Sequence, residues 1–259
     1  MQISSLSERI PIEETIKTME YVKWERDIEK VKRYIDEIMP FGDKATAKYR
    51  NKLIQRFLKL DGDTVIYSPL LQYINGVESY QTKKEILYFI VCTTSDAVGE
   101  VVKGFYKGDI PAEIDDERLL SVFKEAMPKA KESSYKKTFS VVNTVLQDFG
   151  IVRCKKDRDK NMKIFYLNEN VRPSYQGILF SICYEFLHIK GNKMPDVEKV
   201  LGCDTFKYFL VNDLVKKRYI KWMTEKGFIE RYDMGGNAKY QFALDSLESL
   251  CKKVVEDDG

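Results

Sequence analysis

His188 is the only histidine in the chain, and it sits among Phe186, Leu187 and Ile189. An imidazole can serve as a general base, as the partner of a nucleophile or as a metal ligand, but each role needs further polar groups at a defined spacing. One histidine cannot make an HExxH zinc pair. A single ring in an apolar stretch reads as a packed or capping residue. The five cysteines, Cys92, Cys154, Cys183, Cys203 and Cys251, are far apart. None has the two-residue spacing of a zinc knuckle or a redox motif, so they read as reduced, mostly buried thiols.

The remaining patterns that could do chemistry are incomplete. There is no G-x-S-x-G elbow and no G-x-G-x-x-G fingerprint. The segment Phe41–Thr46 has the look of a phosphate loop but lacks the upstream glycine and the adjacent Lys-Ser/Thr pair. Asp196 and Glu198 are residue types found in metal-dependent nucleases. Such sites draw carboxylates from separated strand positions, whereas these are crowded where a helix would start and Asp is a good cap. The expectation is a protein with no catalytic site, no metal, no cofactor and no small-molecule substrate.

What the sequence does carry is clustered positive charge. Lys44, Lys48, Arg50, Lys52, Arg56 and Lys59 fall between Lys44 and Leu60 with no acid among them. A solvated helix face normally alternates signs, so this run stands out. A second cluster, Arg153, Lys155, Lys156, Arg158, Lys160 and Lys163, is set against Asp157 and Asp159, with Lys129, Lys131, Lys136 and Lys137 ahead of it. A third comprises Lys216, Lys217, Arg218 and Lys221, followed by Arg231 and Lys239. Each Lys or Arg laid on a phosphate releases a condensed counterion, which gives affinity without sequence preference. Net charge is only +3, so the argument rests on distribution. Asn143 and Gln147 could reach a base edge, and Tyr166, Tyr208, Tyr232 and Tyr240 could stack on bases, although polar surface and core packing explain such residues equally well.

The elements that must position these charges follow from periodicity. Trp24, Ile28, Val31, Ile35 and Ile38 recur at helical steps, and Pro40 and Gly42 stop that helix. Asp43 is a plausible N-cap for the next, on which Ala47, Arg50, Ile54 and Phe57 follow the helical step, with Gly62 just past its end. Further helices are expected around 86–92, 96–105 and 116–123, punctuated by Gly104 and Gly108 and bounded by Pro111 and Pro128. This describes a bundle over residues 10–128.

Beyond it a second grammar begins. Ser133 or Ser134 can cap a helix with the stripe Phe139, Val142, Val145, Leu146 and Phe149. Gly150 ends that helix, and β-like runs at 151–155 and 162–167 follow, separated by a polar connector. The pattern recurs: a stripe of Val215, Tyr219, Trp222 and Met223, then Gly227, a run at 228–232, a turn at 235–237 and a run at 239–244. Aligned on the glycines, DFGIVRC matches EKGFIER and KIFYL matches KYQFA. A helix feeding a hairpin through glycine is the second half of a winged-helix module, in which the helix can enter the major groove and the hairpin can touch the backbone. Candidate preceding helices exist for the second copy, at 175–189, 196–201 and 205–212. For the first, only the bundle could supply them, which makes the second copy the better winged-helix candidate. The terminal Glu256-Asp257-Asp258 reads as a disordered acidic tail.

At 44% hydrophobic and 32% charged, the composition excludes a disordered polymer and a membrane bundle. The longest apolar run, Ile86–Cys92, is far short of the roughly 20 residues of a spanning helix. The opening MQISSLSERIPIEE has no apolar h-region. The expected compartment is the cytoplasm.

Three stretches carry a family resemblance. They are Ile12-Glu13-Glu14-Thr15 before an amphipathic helix, ATAKYRNKLIQRFLKL from Ala45 to Leu60, and SSYKKTFSVVNTVLQDFGIV from Ser133 to Val152. With the apolar pair at 84–105, these resemble the BrxA family of BREX bacteriophage-defence systems over roughly residues 10–180. The resemblance implies a helical domain similar to the antitermination factor NusB, winged-helix-like elements, and DNA binding without known catalysis, in the company of other defence proteins. Residues after Pro195 match nothing in the family.

The expected fold is therefore mainly α: a helical bundle with small β-hairpins and a winged-helix-like C-terminal domain. It divides into 1–130 (bundle), 131–172 (helix plus hairpin) and 173–259 (C-terminal domain). The expected function is non-enzymatic binding of duplex DNA through Lys44, Lys48, Lys52, Arg56, Lys136, Lys137, Arg153, Lys155, Lys156, Arg158, Lys160, Lys216, Lys217, Arg218, Lys221 and Lys239. The alternatives are a protein-interaction scaffold of a defence complex and an RNA-binding protein.

Overall fold

The computed structural model describes residues 9–157, 162–168, 170–235 and 237–257. The protein is mainly α-helical with small antiparallel sheets. In chain order the elements are α1 (Ile12–Tyr21), α2 (Ile28–Ile38), α3 (Asp43–Phe57), β1 (Lys59–Asp61), β2 (Thr64–Ile66), α4 (Pro69–Gly76), α5 (Tyr80–Thr94) and α6 (Asp96–Lys107). Then come β3 (Glu113–Asp115), α7 (Asp116–Ala126), α8 (Glu132–Asp148), β4 (Val152–Asp157), β5 (Met162–Leu167) and α9 (Tyr175–Cys183). A π-helical turn over Tyr184–Ile189 leads on to α10 (Val197–Leu201), α11 (Asp204–Tyr208), α12 (Asp213–Glu225), β6 (Ile229–Met234), β7 (Asn237–Phe242) and α13 (Leu247–Asp257). These form two compact units. The first is built on Tyr88–Arg172 with Arg9 and Lys207–Val211, and the second on Ile10–Leu87, Pro173–Phe206 and the chain from Asn212.

The first unit holds a complete winged-helix topology, with three helices (α6, α7, α8) and a three-stranded sheet in the order β3-β5-β4. The preceding helices that only the bundle could supply for this copy are α6 and α7, and β3 is the strand the sequence reading overlooked in this unit. Ile114 is the Cα partner of Phe165, and both are buried. Phe139 packs edge-on against both Phe123 and Phe165, which ties α7, α8 and the sheet into one core. Val142, Val145 and Leu146 are buried as the stripe predicts. Neither Ser133 nor Ser134 caps α8, because the N-cap is Lys131 and makes no side-chain bond. Gly104 does not end a helix either. It lies inside α6, where a Cβ would come within 2.9 Å of Ile110, and Gly108, at φ +79°, is the cap.

In the second unit α1 packs against α2 and α4, α2 against α3, and α13 against α4. Ile28, Val31 and Ile35 are buried as expected, but Trp24 is 81% exposed in the turn before α2, off the predicted face. Gly42, not Asp43, is the N-cap of α3. That helix buries Thr46, Leu53 and Phe57 and stops at Phe57. Gly62, at φ +56°, makes the turn of a β1–β2 hairpin that the periodicity did not reveal. The predicted helix at 175–189 is α9 continued by the π-helical turn. The chain after it repeats the winged-helix order. Backbone bonds from Tyr240 to Pro195 (2.9 Å) and from Phe242 to Lys193 (3.0 Å) lay an extended segment beside β7, which pairs with β6. Helix α13 runs through Glu256 to Asp257. Asp258 lies outside the described residues.

Both glycine-ended helices close in the same way. Gly150 and Gly227 have φ of +76° and +67°. Gly150 N–H bonds Gln147 and Ile151 N–H bonds Leu146, while Gly227 N–H bonds Thr224 and Phe228 N–H bonds Met223. This is the paired 5→2 and 6→1 closure of a Schellman motif, which demands a left-handed residue and so favours glycine. One part of the sequence alignment shifts. Leu167 is opposite Val152 and Phe242 opposite Ile229, so KIFYL corresponds to AKYQF, one residue earlier than KYQFA. A one-residue slip exchanges the two faces of a strand, so Lys239 is not the counterpart of Lys163.

Candidate nucleic-acid interface

The first winged helix presents its cations in two places. Around the start of α8, Lys129, Lys131, Lys136 and Lys137 are exposed. Lys136 is paired with Glu132 at 2.5 Å, which raises the lysine's pKa and lowers the carboxylate's through their hydrogen bond. Lys129, Lys131 and Lys137 have no ion-pair partner among the described residues.

On the wing, alternation sorts the strand residues. Val152–Leu167 and Cys154–Phe165 are directly opposed, with Val152 and Phe165 buried. The next pair on that face is Lys156–Lys163, two exposed lysines directly across from each other where the apolar face runs out. The other face carries Arg153 opposite Tyr166 and Lys155 opposite Ile164, with the Lys155 ammonium 5.6 Å from the Tyr166 ring centroid. Arg153, Lys155, Lys156 and Lys163 are all exposed and have no ion-pair partner among the described residues. Arg158 and Lys160 lie outside the described residues.

The second winged helix is charge-compensated. Lys216 is 6% exposed, donates to Asp213 at 2.8 Å and lies 6.0 Å from the Phe206 ring. Packing holds it inside, so the expectation that it contacts a ligand is overturned. Lys221 approaches Glu225 at 3.6 Å and Arg231 approaches Asp233 at 3.4 Å. Lys239 is half-buried and its charge helps lower the Asp196 pKa, after the larger effect of Asp196's hydrogen bond to Lys199 and the smaller direct attraction of Lys199. Only Lys217 and Arg218 on α12 are exposed and without an ion partner among the described residues. Leu214, 65% exposed, sits beside them.

On α3 the run is partly spent internally. Arg50 bonds Asp36, and Lys52 donates to Gln55 at 3.3 Å. Lys44 and Lys48 are exposed and Arg56 half-buried. Arg56 lines a cavity of about 340 Å³ in the second unit together with His188, Tyr184 and the starts of α4 and α13. His188 is exposed and tilted against Tyr184 with ring centroids 4.7 Å apart, so it is not packed in the core. The clusters thus divide, with α8 and the first wing in one unit and α3 and α12 in the other.

Asn143 is not a base reader. It is 4% exposed on the core side of α8, and neither its Oδ1 nor its Nδ2 has a hydrogen-bond partner. Gln147 is exposed and donates to the Asn143 carbonyl at 3.0 Å. Tyr208 and Tyr240 are buried, while Tyr232 is 39% exposed. Asp196 makes no side-chain cap bond to α10 and instead pairs with Lys199 at 2.7 Å. Among the described residues no three of His, Cys, Asp and Glu are placed to hold a metal ion, and no helix is long and apolar enough to cross a membrane. No family model, no curated protein and no solved structure matches this chain.

Proposed function

We propose that this is a non-enzymatic protein that binds duplex DNA along the phosphate backbone, chiefly through the first winged helix. The observation that carries the reading is the set of exposed cations at the start of α8 and on the β4–β5 wing that have no acidic partner among the described residues. Packing explains an apolar stripe, and compensating acids explain most surface lysines, but neither explains this set. In helix-turn-helix modules the second helix of the pair enters the major groove by its N-terminal turns while flanking elements hold the backbone. Here α7 and α8 are that pair, and the wing is the flanking element.

The cytoplasm is the proposed compartment, and a BREX-type phage-defence system with other defence proteins as partners the proposed setting. That part rests on the three quoted stretches, which fall on the start of α1, on α3 and on α8. The test is fluorescence anisotropy with labelled duplex at several salt concentrations. Binding should weaken steeply with salt, by a slope of about −0.9 in log K per phosphate contact. Absence of binding at low salt sinks the reading, as does unchanged affinity after replacing Lys155, Lys156, Arg158 and Lys160 with Ala. Competition with structured RNA separates the two nucleic acids.

A scaffold role is the second reading. It is favoured by the compensated charges of the second winged helix and by exposed Leu214 and Tyr232, a mixed apolar surface of the kind protein interfaces use. Co-purification of a stable protein partner that survives nuclease treatment supports it.

A further inference from the structure

We propose that Lys156 and Lys163 form a two-ammonium clamp for one backbone phosphodiester of nucleic acid at the tip of the first wing, an inference that rests on the DNA-binding reading above. The two are Cα partners across an antiparallel pair. Directly opposed side chains share a face, with Cβ atoms about 4.5–5.5 Å apart. Two flexible lysine stems rooted at that separation can converge on a single anion. Both side chains are exposed, and neither has an acidic partner among the described residues.

Like charges facing each other across strands destabilise the hairpin, and the hairpin does not require them. The second wing has the same glycine closure and the same six-pair register. Its equivalent positions, read off the shared register, are Asp233 opposite Ala238, with Asp233 held by Arg231. The same scaffold therefore folds with an acid and a methyl where the first wing places two cations. An anion between the ammonium groups turns a repulsive pair into an attractive site, and counterion release adds to the gain on a polyanion. A base edge cannot play this part, since it carries no charge for two lysines to share.

The test uses the full chain and its Lys156→Gln, Lys163→Gln and double variants. Labelled duplex DNA is titrated across salt concentrations, and thermal midpoints are measured without ligand. The clamp predicts effects of opposite sign. Each single variant melts at or above the parent temperature yet binds more weakly. Because the two lysines share one phosphate, the salt slope becomes shallower by about 0.9 in the double variant and by no more than that in either single one. Weaker binding accompanied by a lower melting temperature assigns the lysines a structural role and overturns the clamp. Duplex binding with an unchanged slope also overturns it while leaving the broader reading intact, and no duplex binding by the parent removes both. Inorganic phosphate is the second probe. If it stabilises the parent but not the variants at low millimolar concentration, the site belongs to free phosphate and the nucleic-acid clamp is wrong.

Discussion

Glu85 and Ser174 are joined twice: the Glu85 Oε2 accepts from the Ser174 backbone N–H at 2.8 Å and from its hydroxyl at 2.5 Å. The carboxylate is 5% exposed and also accepts from Gln81 at 3.0 Å. The Ser174 Oγ in turn accepts from Gly177 N–H at 2.9 Å, so α5 anchors the start of α9 through one buried acid. A Cβ on Gly177 would lie 2.4 Å from that same oxygen, and glycine is what leaves room for it. Replacing Glu85 with Ala strands the buried donors. The expected loss is about 2–3 kcal/mol, measured by urea unfolding. A loss under half a kcal/mol would mean water replaces the carboxylate at no cost.

Asn143 should be a net liability. A buried amide with neither atom bonded carries a desolvation penalty of about 1–3 kcal/mol, and leucine has the same branched shape with as many heavy atoms. Asn143→Leu is expected to raise the thermal midpoint by several degrees while leaving duplex affinity unchanged. A drop in either quantity would show that the amide has a partner in solution or on DNA.

The two Schellman closures make a matched pair of tests. Gly150→Ala and Gly227→Ala each place a Cβ on a left-handed residue, which costs about 1 kcal/mol. Both variants should lose stability by similar amounts in chemical denaturation. A neutral result at one site would mean that its loop relaxes to a right-handed conformation.

Burial pushes the thiols of Cys92, Cys183 and Cys203 well up, and that of Cys251 up to about 12. A thiol whose folded pKa exceeds its unfolded value near 8.5 keeps its proton in the native state after the unfolded chain has lost it. Stability from these groups is fully present below about pH 8. It declines as pH rises beyond that, by up to about 1.4 kcal/mol per pH unit for each thiol. Denaturation curves at pH 8 and 10 check the sign. Native alkylation at pH 8 followed by mass spectrometry should modify the half-buried Cys154 well before the other four.

The order of elements was legible because it is a local property. A stripe of Val142, Val145, Leu146 and Phe149 ending at Gly150 predicts a helix and its closure from residues within one turn of each other. The repeat of that pattern at Gly227 was legible for the same reason. What sequence order cannot express is pairing between distant segments. At three residues, β3 has too little alternation to announce itself and becomes a strand only because Ile114 meets Phe165 across some fifty positions of chain. The fates of the predicted binding residues diverged on the same ground. Lys156 and Lys216 are both lysines in basic runs, yet one stands on a wing beyond the core and the other lies over Phe206 with Asp213 at its ammonium. Composition and periodicity decided the longer amphipathic helices and the two hairpins that follow Gly150 and Gly227. Only packing in three dimensions decided which charges are compensated inside the fold, because the neutralising groups and the covering surfaces depend on how the chain turns back on itself.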